Sequence, residues 1–130
     1  MADPDERYRR GLRRLVEVDG PGEESFVKAM GDLGRYVVEF AFGDVYSREG
    51  LSLRDRELAT VAMLTALGGR DPQLRVHLRA ALRVGLTAAE LEEVIIHTVP
   101  YAGFPTAINA LRALRKVEAE DGGSGQVSEP

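Results

Sequence analysis

Apolar residues along this chain return every three or four positions, and nowhere do they alternate as in a half-buried strand. Tyr8, Leu12, Leu15 and Val16 mark an amphipathic helix from Arg7 to Val18, with residues 1–6 an acidic, fraying start. Gly20-Pro21-Gly22 breaks the chain. Phe26, Met30, Leu33 and Val37 then give one face of a second helix running from Glu23 to about Phe42. That helix becomes apolar nearly all round at Val37–Phe42. A helix apolar on every side must be covered on every side, so a subunit interface is expected there.

After Gly43–Gly50, Ser52 is placed to cap a third helix, with Asp55 where its charge favours the helix dipole. Leu58, Val61, Ala62, Thr65 and Ala66 form its buried stripe, and Gly68–Gly69 ends it. Asp71 reads as the cap of a fourth helix and Pro72 as its first residue, a position where a missing N–H costs nothing. Leu74, His77, Leu78, Ala81 and Leu82 share a face before Gly85. Thr87 and Glu90 make a capping box for a fifth helix, whose later part is almost wholly apolar around His97. Pro100 is expected to end it, Tyr101–Pro105 to turn, and a last helix to run from Thr106 to about Glu120. The expected fold is all-α.

At 130 residues the chain is the size of one ordinary domain. Its expected parts are an N-terminal arm or helix over 1–22, a helical domain over 23–120 and a flexible Gly/Ser-rich tail over 121–130. The net charge of −4 suggests neither a nucleic-acid nor a membrane-surface binder. Positive charge is almost all arginine, Lys28 and Lys116 being the only lysines, and arginine favours fixed, bidentate contacts with carboxylates. The cluster Arg7, Arg9, Arg10, Arg13 and Arg14 reads as a solvated face or as a contact for an acidic neighbouring subunit. The absence of cysteine excludes thiol redox chemistry, cysteine-ligated zinc and disulfides. No apolar run reaches the ~18 residues of a membrane span, and no signal-peptide core opens the sequence. A cytoplasmic protein is expected.

Chemistry concentrates between Leu51 and His77. Glu57 follows Arg54 and Arg56 at a helix start, and His77 lies on an apolar face of the next helix. Glu57 reads either as part of an ion-paired helix start or as a carboxylate tuned for proton transfer by enclosure and a nearby guanidinium. His77 and His97, the only histidines, are each core residues or site residues on this evidence alone. Glu57, His77 and His97 lack the one-turn spacing that builds a metal site on a helix, so no metal is expected. No phosphate-binding glycine loop or nucleophile elbow occurs, and any enzyme here works without a cofactor.

The segments Leu51-x-x-Arg54-x-Arg56-Glu57-Leu58, His77-Leu78-Arg79-Ala80-Ala81, Gly85-Leu86-Thr87-x-x-Glu90-Leu91-x-Glu93-Val94-Ile95 and Tyr101-Ala102-Gly103-Phe104-Pro105 resemble the carboxymuconolactone decarboxylase family. Phe40-Ala41-Phe42-Gly43-Asp44-Val45-Tyr46 is similar to the aromatic-glycine segment preceding its Arg-Glu motif, and the match spans about residues 25–118. The resemblance implies an AhpD-like fold of about six helices assembled as trimers or hexamers. In the peroxidase branch a Cys-x-x-Cys pair precedes the motif histidine. Arg70 and Gln73 stand at those positions here, so thiol peroxidase activity is not expected.

For the decarboxylase branch the resemblance implies conversion of 4-carboxymuconolactone into the 3-oxoadipate enol-lactone, within aromatic compound catabolism. Loss of CO₂ needs cations for the substrate carboxylates, donors where enolate charge grows, and an acid near the carbon. Glu57, His77 and His97 are the catalytic candidates, and Arg54, Arg56 and Arg79 the substrate-binding ones. Two alternatives accompany this reading: a relative acting on another carboxylated lactone or activated acid, and a helical oligomer that kept the fold without the site.

Overall fold

A computed structural model describes residues 4–127 of the chain, with side chains for residues 5–120. Residues 128–130, and the side chains of 121–127, lie outside that description; of the tail expected over 121–130, the backbone of 121–127 instead continues the last helix. All regular structure among the described residues is helical. The chain gathers into two compact units, Met1–Arg56 and Glu57–Pro130, a different partition from one drawn at residue 22. No described helix is long and apolar enough to cross a membrane.

The first unit holds α1 (Pro4–Asp19), α2 (Glu23–Ala29), α3 (Asp32–Tyr36), a π-helical stretch Val37–Val45 and the opening turn of α4 (Leu53–Leu67). Residues 4–6, expected to fray, form the first turn of α1 and place Asp5 and Glu6 at its electropositive end. Leu15 and Val18 of α1 are buried with Val27, Val38 and Phe42. The helix expected to run unbroken from Glu23 to Phe42 is interrupted at Gly31, whose φ of 62° and ψ of −131° leave the helical region. Apolar periodicity continues straight through that glycine, which is why the pattern alone hides the break.

From Val37 the turns widen, and Tyr46 N–H bonds the Ala41 carbonyl five residues back at 2.8 Å. The run Val37–Phe42 is therefore not covered on all sides within the chain. Val38 and Phe42 are buried, whereas Phe40 is 60% exposed. Gly11 of α1 lies against this stretch so closely that a Cβ there would stand 1.9 Å from the Val38 carbonyl oxygen.

The arginines of α1 find acids within their own unit. Arg7 Nε lies 2.9–3.0 Å from both Asp44 carboxylate oxygens. Arg10 donates to the Gly43 carbonyl at 2.7 Å and to Asp44 at 3.3 Å. Arg9 and Arg13 bond Glu6, and Arg14 bonds Glu17. The expected solvated face is thus a half-exposed ion-pair network.

Hydrogen bonding from Arg7 holds the Asp44 carboxyl below its usual range, with the charges of Arg7 and Arg10 adding to the effect. A carboxylate depressed in the folded state stabilises above its unfolded pKa, and that stability is lost as pH falls through the folded value. Asp44→Asn should therefore lower the melting temperature at neutral pH and converge on the wild type below the ordinary carboxylate range. Thermal melts of both proteins from neutral pH into acid check this. Parallel curves would contradict it.

The second unit holds the rest of α4, α5 (Asp71–Arg83), α6 (Ala88–Ala102) and α7 (Phe104–Val127). Its core joins Val61 of α4, Leu74, Leu78 and Ala81 of α5, Leu86, Leu91 and Ile95, and Ala110, Leu114 and Val117 of α7. Local chemistry fixes most of the ends. The Ser52 hydroxyl accepts from Asp55 N–H at 3.0 Å, as expected of the cap. Thr87 and Glu90 exchange both bonds of the capping box, at 2.9 and 3.0 Å. At the end of α5, Leu86 N–H reaches the Ala81 carbonyl and Gly85 N–H the Leu82 carbonyl, a Schellman turn.

Three local expectations are corrected. Arg70 flanks α5, and Asp71 is already helical and makes no side-chain cap, Pro72 being placed in the first turn. Pro100 does not end α6, which continues to Ala102 and stops at Gly103. Near a helix end, losing one N–H bond is tolerated, and Gly103 N–H still bonds the Val99 carbonyl at 2.9 Å. Finally, the buried line of α4 is Glu57, Val61 and Thr65, at i, i+4 and i+8. Leu58 and Ala62 are half-buried and Ala66 is exposed on the neighbouring ridge.

Candidate functional site

Glu57 opens the buried line of α4 and has no exposed surface. A carboxyl taken wholly out of water must find hydrogen-bond partners, or its burial costs several kilocalories. One of them is His77, whose Nδ1 lies 2.8 Å from Glu57 Oε1. His77 reaches it from the second turn of α5, held between the buried residues Leu74 and Leu78, and its side chain keeps 21% exposure. The pair therefore has one member locked inside and one reaching the surface. With Nδ1–H donating to the carboxylate, Nε2 is the ring atom left for a reacting group, and the carboxylate stabilises the imidazolium if that atom takes a proton. Such a pair can orient, store and deliver a proton.

His97 stands elsewhere. It is exposed on α6 and lines an open cleft of about 650 Å³ with Leu58, Ala62, Met63, Ala66, Val94 and Thr98. Its ring centroid lies 6.0 Å from that of Tyr101, one turn on and 83% exposed. Glu90 and Glu93 also border the cleft, while Glu57 and His77 are outside its lining. This cleft is thus apart from the buried acid–base pair of the same unit. The pair has fixed geometry, whereas the cleft is apolar with two carboxylates at its edge. The Tyr101 partnership escapes sequence reading because a helix stop expected at Pro100 hides the i, i+4 relation of His97 and Tyr101.

The arginine candidates are engaged locally. Arg79 bonds Glu120 of α7 at 2.9 and 3.3 Å rather than turning toward His77. In the first unit Arg54 lies 3.7 Å from Asp55, and Arg56 donates to the Arg48 carbonyl at 3.2 Å. Arg70, one of the two residues at the peroxidase cysteine positions, donates to the Gly68 carbonyl at 3.0 Å. Among the described residues no three His, Asp or Glu side chains are grouped as metal ligands.

Comparison with known proteins gives this geometry its context. Residues 31–116 match the model of the Carboxymuconolactone decarboxylase family. The chain is 38% identical over 118 residues to a 4-carboxymuconolactone decarboxylase of Acinetobacter baylyi, covering 87% of each protein. It is 27% identical over 126 residues to a nitrosuccinic acid decarboxylase of Metarhizium robertsii, covering 96% of this chain and 79% of that one. An uncharacterized 15.0 kDa protein of Paracoccus denitrificans is 36% identical over 86 residues, 65% of this chain and 64% of the relative. The all-helical architecture agrees with these matches, and Glu57 and His77 fall inside the matched region. The chain belongs to the carboxymuconolactone decarboxylase family.

Proposed function

We propose that this protein is a decarboxylase that removes CO₂ from 4-carboxymuconolactone without a cofactor and protonates the resulting enolate through the Glu57–His77 pair. The observation that carries the reading is the 2.8 Å bond between a fully buried carboxylate and a histidine that reaches the surface. In this substrate the departing carboxylate sits on a carbon conjugated through a double bond to the lactone carbonyl. Breaking the carbon–carboxylate bond releases CO₂ and sends the electron pair through that double bond onto the carbonyl oxygen. His77 Nε2–H then gives its proton to the ring carbon next to the carbonyl, forming the enol-lactone. His77 regains a proton from solvent, so each turnover consumes one proton. Glu57 holds the ring by Nδ1 throughout and stabilises the imidazolium that precedes transfer.

The nitrosuccinic acid decarboxylase among the relatives supports this class of chemistry. Nitrosuccinic acid also carries a carboxyl on a carbon whose electron pair an adjacent group can accept. A different carboxylated lactone or activated acid is therefore the second reading. The guanidiniums proposed to hold substrate carboxylates are Arg54, Arg56 and Arg79, of which Arg79 serves only by leaving Glu120. Replacing each singly with Gln is expected to raise KM more than it lowers kcat.

His97 is the second acid candidate. An apolar cleft bordered by Glu90 and Glu93 suits a dianionic substrate poorly, so the proton is assigned to His77. Purified protein mixed with 4-carboxymuconolactone should consume its ultraviolet absorbance with saturable kinetics. His97→Ala should keep turnover within ~3-fold of wild type, against the ~10²-fold or greater loss of an acid–base group. A folded protein that leaves the absorbance unchanged would remove this substrate, and a crippled His97→Ala would move the acid to the cleft.

A further inference from the structure

We propose that the hollow between α5 and α7 is a binding site for a small oxyanion of at least two negative charges. It is lined by Asp71, Arg75, Asn109, Arg112, Ala113 and Lys116 and measures about 180 Å³. Asp71 and Arg75 are one turn apart on α5, and the α7 residues repeat at i, i+3, i+4 and i+7, so each helix turns one face toward the hollow. The buried seam beneath, from Leu74 and Leu78 to Leu114 and Val117, fixes the two helices that carry them.

Three cations and one carboxylate meet here, in a chain whose net charge is −4. Among the described residues, Arg75, Arg112 and Lys116 have no carboxylate within ion-pair distance. On the same two helices, by contrast, Arg79 is paired with Glu120, and Arg115 with Glu92 and Glu118. Arg112 and Lys116 also repel each other at i, i+4. An anion seated among them relieves that repulsion, and guanidiniums with a neighbouring amide match the planar, multiply accepting edge of a carboxylate or phosphate. At ~30 Å³ per water, the hollow has room for about six water-sized groups. It therefore takes a small dicarboxylate or inorganic phosphate rather than a nucleotide.

The site is separate from the acid–base pair. Arg75 and His77 are two residues apart on α5, so their side chains leave the helix about 200° apart. Binding here does not depend on the proposed reaction.

Calorimetric titration of the full chain with succinate, and separately with inorganic phosphate, tests this at ionic strength held constant with chloride. Saturable binding of at least one is expected, and the arm that saturates names the source of the oxyanion. Arg112→Gln with Lys116→Gln, and Arg75→Gln separately, should each weaken it at least tenfold while leaving the circular dichroism unchanged. His77→Ala should bind as the wild type does. Saturation by neither anion, binding indifferent to the three cation substitutions, or binding lost in His77→Ala would overturn the proposal.

Discussion

Glu57→Ala should destabilise the second helical unit by about 3 kcal/mol or more and abolish turnover. The side chain is fully buried and bonded to His77, so truncation removes a partner from a buried polar pair and opens a hole in the line it shares with Val61 and Thr65. Breaking such a pair from one side typically costs ~3–5 kcal/mol, because the remaining partner is left uncompensated. Glu57→Gln separates stability from chemistry. The amide keeps the volume and can still accept from His77 Nδ1–H, but it carries no charge to stabilise an imidazolium. The Gln variant is expected to fold with a melting temperature near wild type and to turn over ~10²–10⁴ times more slowly. Thermal melts and steady-state kinetics on both variants check the split. Wild-type turnover in a folded Glu57→Gln protein would leave the carboxylate a purely structural role.

Gly11→Val should prevent the first unit from adopting its native packing. Any Cβ at this position would stand 1.9 Å from the Val38 carbonyl oxygen and 2.8 Å from its carbon. The obstacle is backbone of the π-helical stretch, so no rotamer change relieves it. Overpacking a core usually costs ~1–3 kcal/mol where side chains can adjust, and more is expected where α1 must lift from its partner. That lift also pulls Arg7 and Arg10 from Asp44, which couples the steric loss to the ion-pair network. The expected result is a chain with sharply reduced melting temperature, or one recovered only as aggregate. Gly11→Ala should show the same direction with a smaller size. A Gly11→Val protein with an unchanged melt would contradict the close packing of α1 against the Val38 backbone.

The two variants also separate what the sequence could and could not disclose. Ser52, Thr87, Glu90 and Gly85 were legible because capping is a contract between residues a few positions apart. Glu57 and His77 could be nominated as chemistry-bearing side chains, but they are twenty residues apart. Their meeting depends on how α4 and α5 pack, which no local pattern encodes. The break at Gly31 was hidden because apolar periodicity runs through it, and the widening after Tyr36 because a π turn changes which residues face inward without changing composition. On α4, one set of apolar positions served two neighbouring ridges. Only packing decided that Val61 and Thr65 are core while Ala66 faces a cleft. The basic hollow was illegible for a related reason, since Arg75, Arg112 and Lys116 come from two helices with no motif spacing. The family motifs, by contrast, nominate Glu57, His77 and His97 alike, and only packing sets His97 apart from the other two.

If His77, held by Glu57, delivers the proton that completes decarboxylation, removing its imidazole must slow product formation. The most direct measurement is CO₂ release and enol-lactone formation from 4-carboxymuconolactone by His77→Ala beside wild type, both shown folded by circular dichroism. Stoichiometric CO₂ and enol-lactone are expected from the wild type, and a rate at least ~10²-fold lower from the variant. A folded His77→Ala protein that turns over within twofold of wild type would contradict it.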